Sequence, residues 1–169
     1  VSDSVYIDRL SRIPSIIEMP FNEVVKKYIE AYTGRLRNKV SFMLAAANFY
    51  MPMFEEALET YDLPMELKYL PIIESALNPK ALSRQRASGL WQFMETTGHE
   101  YGLEVNKNSD ERYHVEKSTV AACKYIKTAY KKYNDWIAVA AAYNGGQARI
   151  AGQMEKQQAD ETLDLYLVE

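Results

Sequence analysis

The chain predicts a mainly α fold, on three observations. Apolar residues recur at helical spacing in nearly every segment, convincing alternating strands are lacking, and only 7 glycines and 6 prolines interrupt 169 residues. An apolar share of 47% and a charged share of 25% belong to an ordinary globular protein, and the length suffices for one domain with a real core.

In "FNEVVKKYIEAYTGR" Val24, Val25, Tyr28, Ile29 and Tyr32 share one face, and Gly34 is the natural stop. "RLRNKVSFMLAAANFY" gives a second helix through Leu36, Val40, Met43, Leu44 and Ala47, and Pro52 opens a short third one, "PMFEEALETY". "LPMELKYLPIIESALN" makes the fourth, with Pro64 near its first turn. "PKALSRQRASG" reads as a loop, "LWQFMETTGHEYG" as a short helix ended by glycine, and "LEVNKNSDERYHV" as a polar loop turned by Ser109 or Asp110. "EKSTVAACKYIKTAYKKY" is a long helix. "DWIAVAAAY" is a nearly all-apolar, buried one that "NGG" stops, before "QARIAGQMEKQ" starts another.

Several function classes fall away. A net charge of −3 with no Lys/Arg-rich block gives nothing to hold a phosphate backbone, so no nucleic-acid partner is expected. The longest uncharged run, Val40 to Phe54, is too short to span a bilayer and reads as core helix. The opening "VSDSVYIDRL" lacks the regions of a signal peptide, so any membrane anchoring would come from segments absent from this chain. The single cysteine, Cys123, lies among small and apolar residues and is expected as a buried structural thiol. His99 and His114 lack ligand spacing, so no metal or other cofactor is expected and both read as surface or capping residues.

The chemistry concentrates in "YLPIIESALNP". Leu67, Leu70, Glu74 and Leu77 fall on one stripe at i, i+3, i+7 and i+10, and Tyr69, Ile73 and Ala76 on the adjoining one. A carboxyl in that setting is costly to ionise; its pKa should rise, leaving a proton to donate near neutral pH. The alternative is an acid at the stripe's edge, solvated or paired with arginine. Pro71 should kink or restart the helix so that Glu74 lies in the first turn after the break, or else the kink serves packing alone.

The residues downstream of the acid carry a more specific signal. Glu74-Ser75, then Ser83, "GLWQFM" (Gly89 to Met94) and "AAYNGG" (Ala141 to Gly146) form an ordered set. That set resembles the lytic transglycosylases with the soluble-lytic-transglycosylase catalytic domain, and within them the membrane-bound type D branch. The match is strong from about Leu63 to Ile150 and weaker over the N-terminal helices.

The resemblance implies a lysozyme-like helical fold whose cleft holds a peptidoglycan glycan strand, in the bacterial cell envelope. It implies a helical extension over residues 1–60 packed on a catalytic domain over 61–169. It makes Glu74 the single acid. That acid protonates the glycosidic oxygen between N-acetylmuramic acid and N-acetylglucosamine, then acts as base on the muramic C6 hydroxyl, giving a 1,6-anhydro product. By the same resemblance Tyr143 hydrogen-bonds or orients the acid. Ser75, Ser83, Gln92, Met94 and Asn144 line the substrate, and Gly89 lets the loop backbone approach it.

Two positions depart from the family's pattern: Arg86 stands where a small residue or glycine is common, and Glu95 where a proline is. Most glycosidases use two carboxyl groups, and no other acid here repeats the apolar setting of Glu74, which agrees with assistance from the substrate's own 2-acetamido group. A goose-type lysozyme-like hydrolase and a glycan-binding module without turnover are the alternatives on the same scaffold.

Overall fold

The computed structural model describes residues 1–145, and the mainly helical, lysozyme-like class holds over them. In chain order the helices are α1 (Asp3–Ser11), α2 (Glu23–Thr33), α3 (Arg37–Thr60), α4 (Leu70–Ser75), α5 (Glu95–Glu100), α6 (Val115–Tyr133) and α7 (Trp136–Gly145), with 3₁₀ turns at Met65–Tyr69 and Glu111–Tyr113. Among these residues extended pairing is confined to isolated bridges, Leu82–Ser88, Ser88–Phe93 and Val105–Asp110. Gly146 of the "NGG" stop and the helix expected at "QARIAGQMEKQ" lie outside the described residues.

Local chemistry explains the boundaries. Asn22 caps α2 by accepting from the Val25 amide at 2.9 Å, and Gly34 ends it. His114 caps α6, its Nδ1 accepting from the Lys117 amide, and Asn134 closes that helix in the left-handed conformation. Asp110 turns the preceding loop by capping the Glu111–Tyr113 turn.

Four expectations need correction. The second and third helices are one, α3, with Pro52 inside it. Pro52 and the Asn48 carbonyl it displaces lie on the exposed face, where water can take the place of the missing amide. Leu44 and Tyr28, placed on buried stripes, are 63% and 63% exposed. "LWQF" is not helical: Ser88 and Phe93 exchange backbone hydrogen bonds of 3.0 and 3.1 Å. The turn they close needs left-handed φ at Gly89 (80°) and Gln92 (50°), so helix starts only at Glu95. Lastly, α7 buries Ala138, Val139 and Ala142 but is only partly covered elsewhere.

The core forms where α3, α6 and α7 meet the 81–93 loop. Fully buried Trp91 is its centre, edge-on to Phe54 at 5.3 Å and to Tyr143 at 6.3 Å, its indole N–H donating to Thr119 Oγ1 at 2.9 Å. Tyr143 continues the chain of rings to Tyr125 at 5.1 Å, and Tyr125 to Tyr101 at 5.3 Å. Cys123 is buried there as a free thiol, and burial pushes its pKa up to about 12, so it is an inert core residue.

Candidate active site

Pro71 marks a restart of the helix rather than a kink in a long one. The 3₁₀ turn ends at Tyr69 and α4 begins at Leu70, so Pro71 occupies the first turn of α4, where its missing amide costs no bond. Its ring is fully buried. Glu74 therefore lies in the last turn of α4, not the first after a break.

Ala76 (φ 51°) and Leu77 (φ 60°) then turn left-handed, their amides donating to the Ile72 and Pro71 carbonyls at 2.9 and 3.2 Å. That closure fixes the end of the helix under the acid. Leu67, Leu70 and Leu77 are buried as their stripe requires, but the adjoining stripe is not: Tyr69, Ile73 and Ala76 are exposed. The side of α4 that carries Ile73 faces an open groove.

Glu74 Oε1 is buried without a hydrogen-bond partner, the sole such side-chain atom among the described residues. Burial raises its pKa from 4.5 to about 7, with no opposing contribution from a cation or a donor. Among the described residues Glu74 forms no ion pair with an arginine, and its Oε1 is shielded from water, as the apolar stripe leads one to expect.

Two cavities meet at this carboxyl. One, of about 390 Å³, is lined by Ser83, Gln85, Gln92, Met94, Tyr125, Tyr143 and Asn144 among others; the second, of about 500 Å³, by Tyr32, Leu36, Lys39, Met43, Ile73 and Ser75 among others. Glu74, Ser83 and Gln92 line both, so together they form one groove with the acid at its middle. Among the described lining residues Glu74 is the only carboxylate.

The expected contacts divide in three. Ser83, Gln92, Met94 and Asn144 line the first cavity, as expected, while Ser75 lines only the second and returns its hydroxyl to the Pro71 carbonyl at 2.9 Å. Tyr143 is in the first cavity, but its phenol donates to the Trp91 carbonyl at 2.8 Å rather than to Glu74. Burial, and then the nearby Glu74 charge, raise the phenol's pKa and keep it neutral. Gly89 is buried. A Cβ there would stand 2.0 Å from the Arg112 carbonyl oxygen, so what its bare backbone admits is Arg112 and not a ligand.

The sequence matches the transglycosylase SLT domain over residues 51–165. The chain belongs to that family. It is 35% identical, over 144 residues, to the membrane-bound lytic murein transglycosylase D of Escherichia coli (strain K12), a stretch covering 83% of this chain and 31% of that protein. It is 32% identical, over 125 residues, to the putative tributyltin chloride resistance protein of Alteromonas sp. (strain M-1), covering 73% of this chain and 60% of that one. The chain thus spans under a third of the length of the first relative.

In this SLT domain the residue that motif reading missed is Arg112. It is buried, pairs with Asp110 through Nε (2.9 Å) and Nη2 (2.6 Å), and donates from Nη1 to the Arg86 and Phe93 carbonyls at 3.0 and 3.2 Å. It pins the loop that walls the first cavity at Arg86 and at Phe93. Arg86 itself has φ 69°, a conformation that favours glycine and so explains why a small residue suits that position. Glu95 opens α5, where a carboxylate suits the helix dipole. Neither replaces a cleft residue. Among the described residues no group of three or more His, Cys, Asp or Glu could hold a metal ion, and no helix is long and apolar enough to cross a membrane.

Proposed function

We propose that this SLT domain is a peptidoglycan lytic transglycosylase acting in the bacterial cell envelope, with Glu74 as its single acid and then base. One observation carries the reading: an unpartnered carboxyl with its pKa near 7, at the middle of a groove that runs past it on both sides.

The steps follow from that placement. Protonated Glu74 gives its proton to the glycosidic oxygen between N-acetylmuramic acid and N-acetylglucosamine, and the C1–O bond breaks. The 2-acetamido group holds C1 in place of a second carboxylate, which the described lining residues do not offer. The Glu74 carboxylate then takes the proton of the muramic C6 hydroxyl as that oxygen closes onto C1. One proton is given and one recovered, and no water is consumed.

The division of labour we propose puts the catalytic unit at 61–169 with residues 1–60 packed on it. Ser83, Gln92, Met94 and Asn144 contact the strand, with Ser75 beside it. Gly89 and Tyr143 support the site by shaping the loop and orienting Trp91.

Digestion of peptidoglycan followed by mass spectrometry tests this. We expect 1,6-anhydromuramic ends, lighter by one water than reducing ends, and loss of at least about 10²-fold in rate for Glu74→Gln with the fold retained. Activity should fall as pH rises above about 7, where the acid loses its proton. Reducing muramic ends would make the domain a hydrolase; binding without cleavage would make it a glycan-binding module. Wild-type turnover by Glu74→Gln would remove the acid from the mechanism.

A further inference from the structure

The two halves of the groove differ in charge. Beyond Glu74, the described residues lining the first cavity are neutral: amides, hydroxyls and aromatic rings, the usual company of an uncharged sugar. Among its described lining residues the second carries one cation, Lys39, on the first turn of α3, and Tyr32 of α2 lines the same cavity. Lys39 is exposed and enters no ion pair among the described residues. In the same lining Ile73 leaves 66% of its surface uncovered, so this half offers apolar surface together with a positive charge.

This wall is also separate in sequence. Tyr32, Leu36, Lys39 and Met43 precede residue 51, where the match to the SLT domain begins. The half of the groove that holds the charge is therefore built by a segment outside the matched region, yet it reaches Glu74 through the shared Ser83 and Gln92.

We propose that the α2–α3 wall is a subsite for an anionic substituent of the glycan strand, with Lys39 pairing a carboxylate and Tyr32 covering the adjacent apolar surface. The proposal rests on the functional reading above. A strand that crosses Glu74 fills both halves of the groove. Of its two alternating sugars only muramic acid carries a lactyl side chain, which ends in a carboxylate or continues into a stem peptide with carboxylates of its own. A neutral half and a cationic half suit such a strand, and they make the wall a selector for its charged substituent.

The test measures binding in a Glu74→Gln background, where cleavage is stopped, with three ligands: neutral chitooligosaccharide, peptide-free murein strands bearing lactyl carboxylates, and peptide-bearing strands. Lys39→Gln should weaken binding of anionic strands by about two- to fivefold and flatten its salt dependence, while leaving chitooligosaccharide affinity unchanged. Lys39→Arg should retain the preference for anionic strands. A loss already present on peptide-free strands identifies the lactyl carboxylate as the ligand; a loss confined to peptide-bearing strands identifies the stem peptide. Unchanged affinities for all three ligands on Lys39→Gln substitution, or an equal loss on all three, overturns the subsite while leaving glycan binding intact. Failure of the Glu74→Gln protein to bind any of them overturns the functional reading with it.

Discussion

The two walls of the groove are held in opposite ways. On one side stands the 81–94 loop, closed by the Ser88–Phe93 pair, pinned by Arg112 and backed by Trp91 and by α6, a helix that buries eight of its residues. On the other stand α2 and the start of α3; α2 buries no residue, and neither does α1 before it. Ser83, Gln92 and Met94 sit on the wall that these bonds hold in place, next to Glu74 on α4, and a proton must be delivered there within a few tenths of an ångström. The loosely held wall is suited to accept substituents of varying shape.

The strongest way to break this contrast is to loosen the rigid wall at Gly89. Alanine there must hold a left-handed φ of 80° and place a Cβ 2.0 Å from a backbone oxygen that cannot swing away. Gly102, at φ 89° with nothing within 4 Å of the added Cβ, is the matched control. Gly102→Ala should cost about 1–2 kcal/mol, the conformational part alone. Gly89→Ala should cost about 3 kcal/mol or more and distort the groove. Urea unfolding of the pair measures the difference; equal costs would show that the Arg112 contact yields easily and that the wall is less rigid than its hydrogen bonds indicate.

A smaller effect sharpens the electrostatic side. Because the folded protein holds the Glu74 proton up to about pH 7 while the unfolded chain releases it near 4.5, the folded state binds more protons in that window. Stability from this group is thus complete below about pH 4.5 and is lost as pH rises through 7. Glu74→Gln, which has no proton to lose, should gain on wild type over the same range, reaching about 1–2 kcal/mol once the partial exposure of the site is allowed for. Thermal melts of both proteins across that range follow the gap. A constant gap would mean that Glu74 is well solvated, against the burial of its Oε1.

Much of this was legible in the sequence and some was not, for definite reasons. α2 and α6 carry strong helical periodicity and α7 a nearly unbroken apolar run, all three formed close to where these placed them, and the apolar stripe around Glu74 was enough to foresee its raised pKa. Pro52 misled because its cost depends on whether the displaced carbonyl reaches water, which only packing decides. The Gly89–Phe93 turn was hidden because Gln92 takes a left-handed φ that no glycine announced. Arg112 sits in "SDERY", whose polar composition is the same whether the guanidinium is buried on Asp110 or solvated. The second cavity joins α2 and α3 to α4, and local patterns do not encode which distant helices meet.

The segment leading into the loose wall is tied to the core side by one carboxylate, and weakening that tie is the mildest of these tests. Glu66 Oε1 accepts from the Ser15 hydroxyl and from the amides of Ile16 and Ile17, tying the segment after α1 to the 3₁₀ turn that precedes α4. Burial alone would push this carboxyl up, but the Ser15 hydroxyl and the backbone amides outweigh it and hold the pKa below 4.5. The tie is therefore present above that value and is lost as pH falls below it. Glu66→Gln keeps an acceptor but makes every bond neutral, at a cost of about 0.5–1 kcal/mol. In a wall that buries so little, this should appear as faster amide exchange at Ile16 and Ile17, about two- to fivefold, with α6 unaffected. An equal rise in α6 would mean that the N-terminal helices unfold together with the core and that the two walls are one cooperative unit; unchanged exchange at Ile16 and Ile17 would mean that the charge of Glu66 adds nothing to the tie.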